Sequence, residues 1–307
     1  MRGFEVRRAW AFAPGHVTGI FAPDLTTTDP RGRGSRGLGV VLEAGAHSEV
    51  VWQPAKRTRI QVRDERGSPL PITEEALRHL VPAGAGAVSV FVRHDLPVGQ
   101  GFGMSAAGTL ASSLAAAHLF DLPRARAVEV AHLAELLGGG GLGGVSAILG
   151  GGLEFRSVAG IPPWGRIDHF PFPYPLWVGV VGGPLPSPGL LRQPRFLARV
   201  ARAARELDLI RARPRAEQFL ELSERFTDRL GLVSPPLGSL VRALRRRGWW
   251  AAQAMFGRSF FAVAATRRHC EAGLEVLERA GIPAVELSAS RTGPRLLRAA
   301  APSGSRR

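Results

Sequence analysis

The chain has 307 residues, 45% of them hydrophobic and 21% charged, which suits one large or two medium cores and excludes disorder. Its net charge is +15 and its only cysteine is Cys270, which excludes an intrachain disulfide and a paired-cysteine metal site. Every apolar stretch is broken well short of a membrane span, and the charged start Met1-Arg-Gly-Phe-Glu-Val-Arg-Arg has no apolar run behind it, so no signal peptide is expected and the expected compartment is the cytoplasm.

In chain order, Phe4 to Ala13 reads as a strand that ends in a tight turn at Pro14-Gly15. Residues 22–37 read as a polar loop, followed by short strands around 38–44, 48–53 and 58–63. Residues 87–95 are alternating and β-branched, a further strand. The glycine-rich stretch from Leu96 leads into an Ala- and Leu-rich helix ending near 119. A second helix spans about 123–137, opened by Pro123 and stopped by Gly138. Glycines crowd 138–144, and 153–158 reads as a strand. Five prolines between 160 and 175 suggest a domain boundary, dividing the chain into 1–158 and 159–307. Beyond it come a strand at 176–182, two helices in 195–230 separated near Pro214, a helix at 236–247, another near 249–255, a strand at 259–265, and a final helix and strand within 269–287. Residues 299–307 read as a frayed tail. Strands before helices in one half and mixed elements in the other indicate an α+β protein, without the regular βαβ alternation of a doubly wound fold.

Residues 158–307 carry 24 basic and 11 acidic side chains, against 16 and 14 before them. Such an imbalance is one mark of a nucleic-acid footprint. Yet of forty basic residues only Lys56 is lysine, and Ala, Gly and Pro abound, as in a GC-rich genome. Runs such as Arg245, Arg246 and Arg247 are read as a solvated face, so nucleic acid is not the expected main partner. Cys270, beside His269 at a helix start, is read as inert packing.

The most informative segment is Pro97 to Ala107. A strand, a glycine loop and a helix form an anion site made of backbone: glycines allow close approach and positive φ, and the helix start points unpaired N–H groups and its positive dipole end at the ligand. Ser105, in the first turn, offers a hydroxyl to phosphate or metal. No Walker-type GxxxxGK[ST] occurs, and neither GxGxxG match (Gly32 to Gly37, Gly139 to Gly144) follows a strand and opens a helix as a dinucleotide fold requires.

Pro97-x-x-x-Gly101-Phe102-Gly103-Met104-Ser105-Ala106-Ala107 is similar to the phosphate loop of the GHMP kinase superfamily, with Phe102 for the usual Leu and Met104 for the first Ser. Ala13-Pro14-Gly15-His16-Val17-Thr18-Gly19-Ile20-Phe21 resembles that superfamily's first motif, in a spelling typical of archaeal pantoate kinases. Met255-Phe256-Gly257-Arg258-Ser259-Phe260-Phe261-Ala262 resembles its third. The resemblance implies a GHMP fold, with an N-terminal ribosomal-S5-domain-2-like domain and a C-terminal ferredoxin-like domain. It also implies ATP over the loop Pro97 to Ala107, Gly99 included, and a pantoate-like hydroxy acid as the acceptor. Ser105 and Glu135 would hold Mg²⁺. Arg156, then Arg258 with Gly257 and Ser259, would bind the acceptor's carboxylate, since an Arg fork binds carboxylate bidentately. His16 and Thr18 would contact acceptor or phosphate. A homodimer is allowed.

One departure matters. Members of the family follow the helix Glu with Gly-Leu-Gly-Asp, whose Asp faces the acceptor hydroxyl; here Gly141-Leu142-Gly143 is followed by Gly144. Three accounts are open: catalysis without a base, substitution by Asp24 or Asp29, or lost catalysis with binding kept. The alternatives in function are another GHMP-type kinase of an anionic alcohol (homoserine or mevalonate) and a degenerate ligand- or RNA-binding homologue.

Overall fold

A computed structural model describes residues 6–298 apart from 186, 192, 211 and 212, so the expected tail 299–307 lies outside the described residues. Two long strands, β1 (Arg7–Asp24) and β2 (Gly34–Gln53), pair antiparallel almost end to end. The expected turn at Pro14-Gly15 and the expected break between 38–44 and 48–53 therefore do not form. Pro14 faces Gly45, and the register shifts between Pro14 and His16 and again between Thr18 and Ile20. The glycines serve close approach at bulges: a Cβ on Gly45 would sit 2.1 Å from the Ala13 carbonyl oxygen. Between the strands, Asp29 caps the short 3₁₀ turn Pro30–Gly32 and pairs with Arg31.

β3 (Arg59–Asp64), helix α1 (Pro71–Leu80), β4 (Ala87–His94), helices α2 (Met104–Leu119), α3 (Arg124–Gly138) and α4 (Gly144–Ala147), then β5 (Leu153–Val158) and β6 (Arg166–Phe170) complete the first half. α1, opened by Pro71, has no counterpart in the sequence reading. β2 is shared: its second half pairs with β4, and its first half pairs with β5, which carries β6 on its far side. The proline-rich 160–175 stretch thus contributes β6 to the first sheet. α2 is buried at 14 of its 16 residues, as expected of a helix apolar all round, packed between β1 and β2 on one side and α1 and α3 on the other.

After β7 (Leu176–Val180) come four helices, α5 (Ser187–Leu191), α6 (Pro194–Ala203), α7 (Ala216–Leu230) and α8 (Pro235–Arg246), then β8 (Trp249–Gln253), β9 (Ser259–Ala264), α9 (Arg267–Arg279) and β10 (Ala284–Leu287). The order β10-β7-β9-β8, antiparallel throughout, is that of a split β-α-β-β-α-β sheet and agrees with the ferredoxin-like expectation. The helix expected near 249–255 is β8 instead. Trp249 and Trp250 favour a pleated surface, and pairing with β9 overrides the helix preference of the following alanines. A last strand, β11 (Arg295–Leu297), returns to pair with β1.

One apolar core joins the two sheets: Ile20 and Phe21 of β1 pack with Phe219 and Phe226 of α7 and Phe261 of β9. Among the described residues no helix is long and apolar enough to cross a membrane.

Candidate active site

The loop before α2 carries three left-handed glycines, Gly99, Gly101 and Gly103, with φ of +76°, +77° and +70°. Gly103 is the N-cap of α2 and offers no side chain to its first turn. The N–H groups of Met104, Ser105 and Ala106 thus lack intrahelical partners and open, with the dipole's positive end, onto a cavity of about 440 Å³. An anion would complete this helix start.

Glu135 reaches the same cavity from α3. Its Oε1 accepts from the Ser105 hydroxyl at 2.7 Å and from the Thr109 hydroxyl at 3.2 Å. The side chain is 3% exposed, and no cationic side chain pairs with it among the described residues. Burial pushes its carboxyl up to about 7, against the pull of both hydroxyls. Ser105 Oγ and Glu135 supply two hard oxygen donors, and no group of three or more His, Cys, Asp or Glu completes a cage among the described residues. That donor set fits Mg²⁺, which takes few protein ligands and fills its octahedron from phosphate and water.

Opposite lies a buried polar line across three neighbouring strands. His16 and Thr18 come from β1, Glu154 and Arg156 from β5, and β2 runs between them. Strands two apart are about 9–10 Å from each other, too far for the side chains to meet over an ordinary residue. At this point β2 presents Gly39 opposite Glu154 and Gly37 opposite Arg156. A Cβ on Gly39 would lie 2.2 Å from His16 Nε2, and one on Gly37 2.4 Å from Arg156 Nη2. Through this gap His16 Nε2 meets Glu154 Oε1 at 2.9 Å, Arg156 Nη1 donates to the same oxygen at 2.8 Å, and Thr18 Oγ1 lies 3.3 Å from His16 Nδ1. Arg156 Nε also donates to the Ser35 carbonyl at 3.2 Å. Burial holds the His16 imidazole below its ordinary value, outweighing its Glu154 bond.

The third motif reaches the cavity through Met255 and Phe256, and its other residues lie behind the glycine loop. The Ser259 hydroxyl donates to the Gln100 carbonyl, Gln253 Nε2 donates to Gly257 O at 2.8 Å, and a Cβ on Gly257 would lie 2.2 Å from Gln100 O.

The cavity therefore gathers Gly99, Gly101, Phe102, Gly103, Met104, Ser105, Ala106, Glu135, His16, Thr18 and Arg156 of the expected site. Pro97, Ala107, Gly257, Arg258 and Ser259 do not line it; Arg258 is exposed beside Gly182, and Ser259 is wholly buried. Asp24 accepts from Thr26, and Asp29 is spent on its cap and on Arg31; neither lines the cavity. Gly144 does, but a Cβ there would stand 2.8 Å from the Ala106 Cβ. Cys270 is half-buried and its thiol is pushed up by burial, consistent with inert packing. Sequence reasoning missed Glu154, whose signal was a Glu and an Arg two apart on one strand, and Thr109, an inward polar residue on an apolar helix.

A model of the GHMP kinases N-terminal domain matches residues 71–152. The pantoate kinase of Thermococcus kodakarensis is 31% identical over 250 residues, 76% of this chain and 80% of that protein. The pantoate kinase of Methanospirillum hungatei is 28% identical over 263 residues, 84% and 88% of the two chains. A solved structure described as a phosphotransferase related to the CoA biosynthesis pathway superposes with a TM-score of 0.83 at 28% identity, covering 96% of this chain and all of that one. The galactokinase of Lactococcus lactis, 15% identical with 95% of each chain covered, shares the fold at a TM-score of 0.64.

Proposed function

Because this chain belongs to the GHMP kinases, and within them to the pantoate kinases, we propose that it transfers the γ-phosphoryl group of ATP to the primary hydroxyl of pantoate. The observation that carries this reading is the uncapped start of α2 behind its three left-handed glycines. It opens on a cavity that also holds a buried Ser–Glu pair and a buried His–Glu–Arg line. Backbone N–H groups of Met104 to Ala106 would cradle the nucleotide's phosphates. Glu135 and Ser105 would hold Mg²⁺, which when bound supplies charge neutralisation at the transferring group.

The chain's own part is positioning. Phosphoryl transfer passes through a loose transition state, so aligned donors and fixed dipoles contribute most of the rate. Arg156 lines the cavity and is the best-placed cation for the acceptor's carboxylate, although its charge is already shared with Glu154. Arg258, exposed and outside the cavity, is the weaker candidate.

The test is incubation of the purified protein with ATP, Mg²⁺ and a panel of pantoate, homoserine and mevalonate, with phosphorylated product identified by mass. Pantoate is expected to be phosphorylated. Turnover of homoserine or mevalonate without pantoate would replace the acceptor; turnover of none would leave the degenerate reading, for which Gly144 is the specific observation.

A further inference from the structure

We propose that Thr18 and His16, backed by Glu154, form the path that takes the acceptor hydroxyl's proton, replacing the carboxylate that Gly144 lacks. The inference rests on the kinase reading above and deepens it.

The geometry assigns each atom a direction. Glu154 Oε1 already accepts from the Arg156 guanidinium, so it is a carboxylate acceptor, and the imidazole bonded to it at 2.9 Å donates through Nε2–H. His16 Nδ1 is then the bare nitrogen, and it accepts from the Thr18 hydroxyl 3.3 Å away. Thr18 is half-buried while His16 is 3% exposed, so the hydroxyl is the more open end of the pair. The residue is held in place at its backbone and its ring: the His16 N–H donates to the Phe102 carbonyl of the glycine loop at 2.9 Å, and the ring packs so closely over Gly39 that a Cβ there would lie 2.2 Å from Nε2. The proton path is thus bolted to the loop that would hold the phosphates. Burial keeps the imidazole neutral, the form that can accept. The charged and titratable groups facing it are Glu154 and Arg156 from β5 and His169 from β6. Asp24 and Asp29, the other substitutes, stand elsewhere with their own partners.

The step balances. The acceptor oxygen bonds to the γ-phosphorus, and the bond from that phosphorus to the bridging oxygen breaks, leaving its electron pair on the nucleoside diphosphate. The acceptor's proton passes to Thr18 Oγ1 as the Thr18 proton passes to His16 Nδ1. The imidazolium so formed is stabilised by Glu154 and releases its proton to water through the cavity once product leaves.

The test has two readouts. In the full-length, ligand-free protein, nitrogen NMR of His16 at pH 7.5 is expected to show a neutral ring protonated at Nε2. A ring protonated at Nδ1, or charged, would overturn the proposal whatever the activity. In turnover with whichever hydroxy acid the wild type phosphorylates, Thr18→Val and His16→Gln are expected to lower kcat about 10²–10⁴-fold, with KM for both substrates changed little. Thr18→Ser should recover most of the rate. A His16→Gln variant that folds and keeps kcat refutes the proton path and leaves the kinase reading standing. Absence of turnover in the wild type refutes the kinase reading itself.

Discussion

The Ser105 hydroxyl donates to Glu135 Oε1 at 2.7 Å, tying the first turn of α2 to the last turn of α3 with no cation paired to the carboxylate among the described residues. This pair governs how stability depends on pH. With a folded-state value near 7 against an ordinary 4.5, the native state holds a proton that the unfolded chain has lost between those two values. Stability from this group therefore falls as pH rises from 4.5 to 7, by up to roughly 3 kcal/mol. Glu135→Gln is expected to raise the melting temperature at pH 8, to leave it nearly unchanged at pH 4, and to abolish turnover. Thermal melts at the two pH values check this; equal shifts at both would refute it.

Gly144→Asp is expected to give no gain in rate. A Cβ there would lie 2.8 Å from the Ala106 Cβ, which has no flexible end to move aside, so the variant should lose about 1–3 kcal/mol as overpacking does. Chemical denaturation and turnover measure the two parts. Pairing Gly144→Asp with Ala106→Gly should recover stability; a stable, faster single variant would show that the missing acid alone limits the enzyme.

Two left-handed glycines should separate strain from contact. Gly67 has φ +78° and open space beyond it, so Gly67→Ala should cost about 1–2 kcal/mol and leave activity intact. Gly101 has φ +77°, and a Cβ there would stand 2.2 Å from the Met255 carbonyl oxygen. Gly101→Ala should pay the same strain and also push the loop off its support, lowering nucleotide affinity at least tenfold by calorimetry.

Ser259→Ala removes the hydroxyl that donates to the Gln100 carbonyl inside the same loop. The buried carbonyl loses a partner, at a cost of about 1–3 kcal/mol. The expected kinetic signature is a raised KM for ATP with KM for the acceptor unchanged. The opposite pattern would return Ser259 to the acceptor-binding role that its motif suggested.

Much of the site was readable in the chain. Gly99, Gly101 and Gly103 between a β-branched strand and an Ala-rich run specify a turn and a helix start through local chemistry alone; Ser105 followed from its place in the first turn of that helix, and Glu135 from the resemblance to the GHMP kinases. Arg258 and Ser259 do not line the cavity, which the motif could not show: it says which residues travel together, not which side of a loop they occupy. Ser259 faces the loop's back and Arg258 faces water. The strands fared similarly. Pro14-Gly15 and Gly45 carry turn chemistry, yet continuous pairing of β1 with β2 outweighed it by placing them opposite one another at a bulge.

Sequence by itself determined the uncapped helix start, because positive φ, missing side chains and unpaired N–H groups are properties of neighbours along the chain. Only the tertiary structure decided that His16 meets Glu154. Their contact depends on strands two apart in the sheet and on glycines opening the strand between them, and both belong to strand order and register, which arise from packing the whole chain.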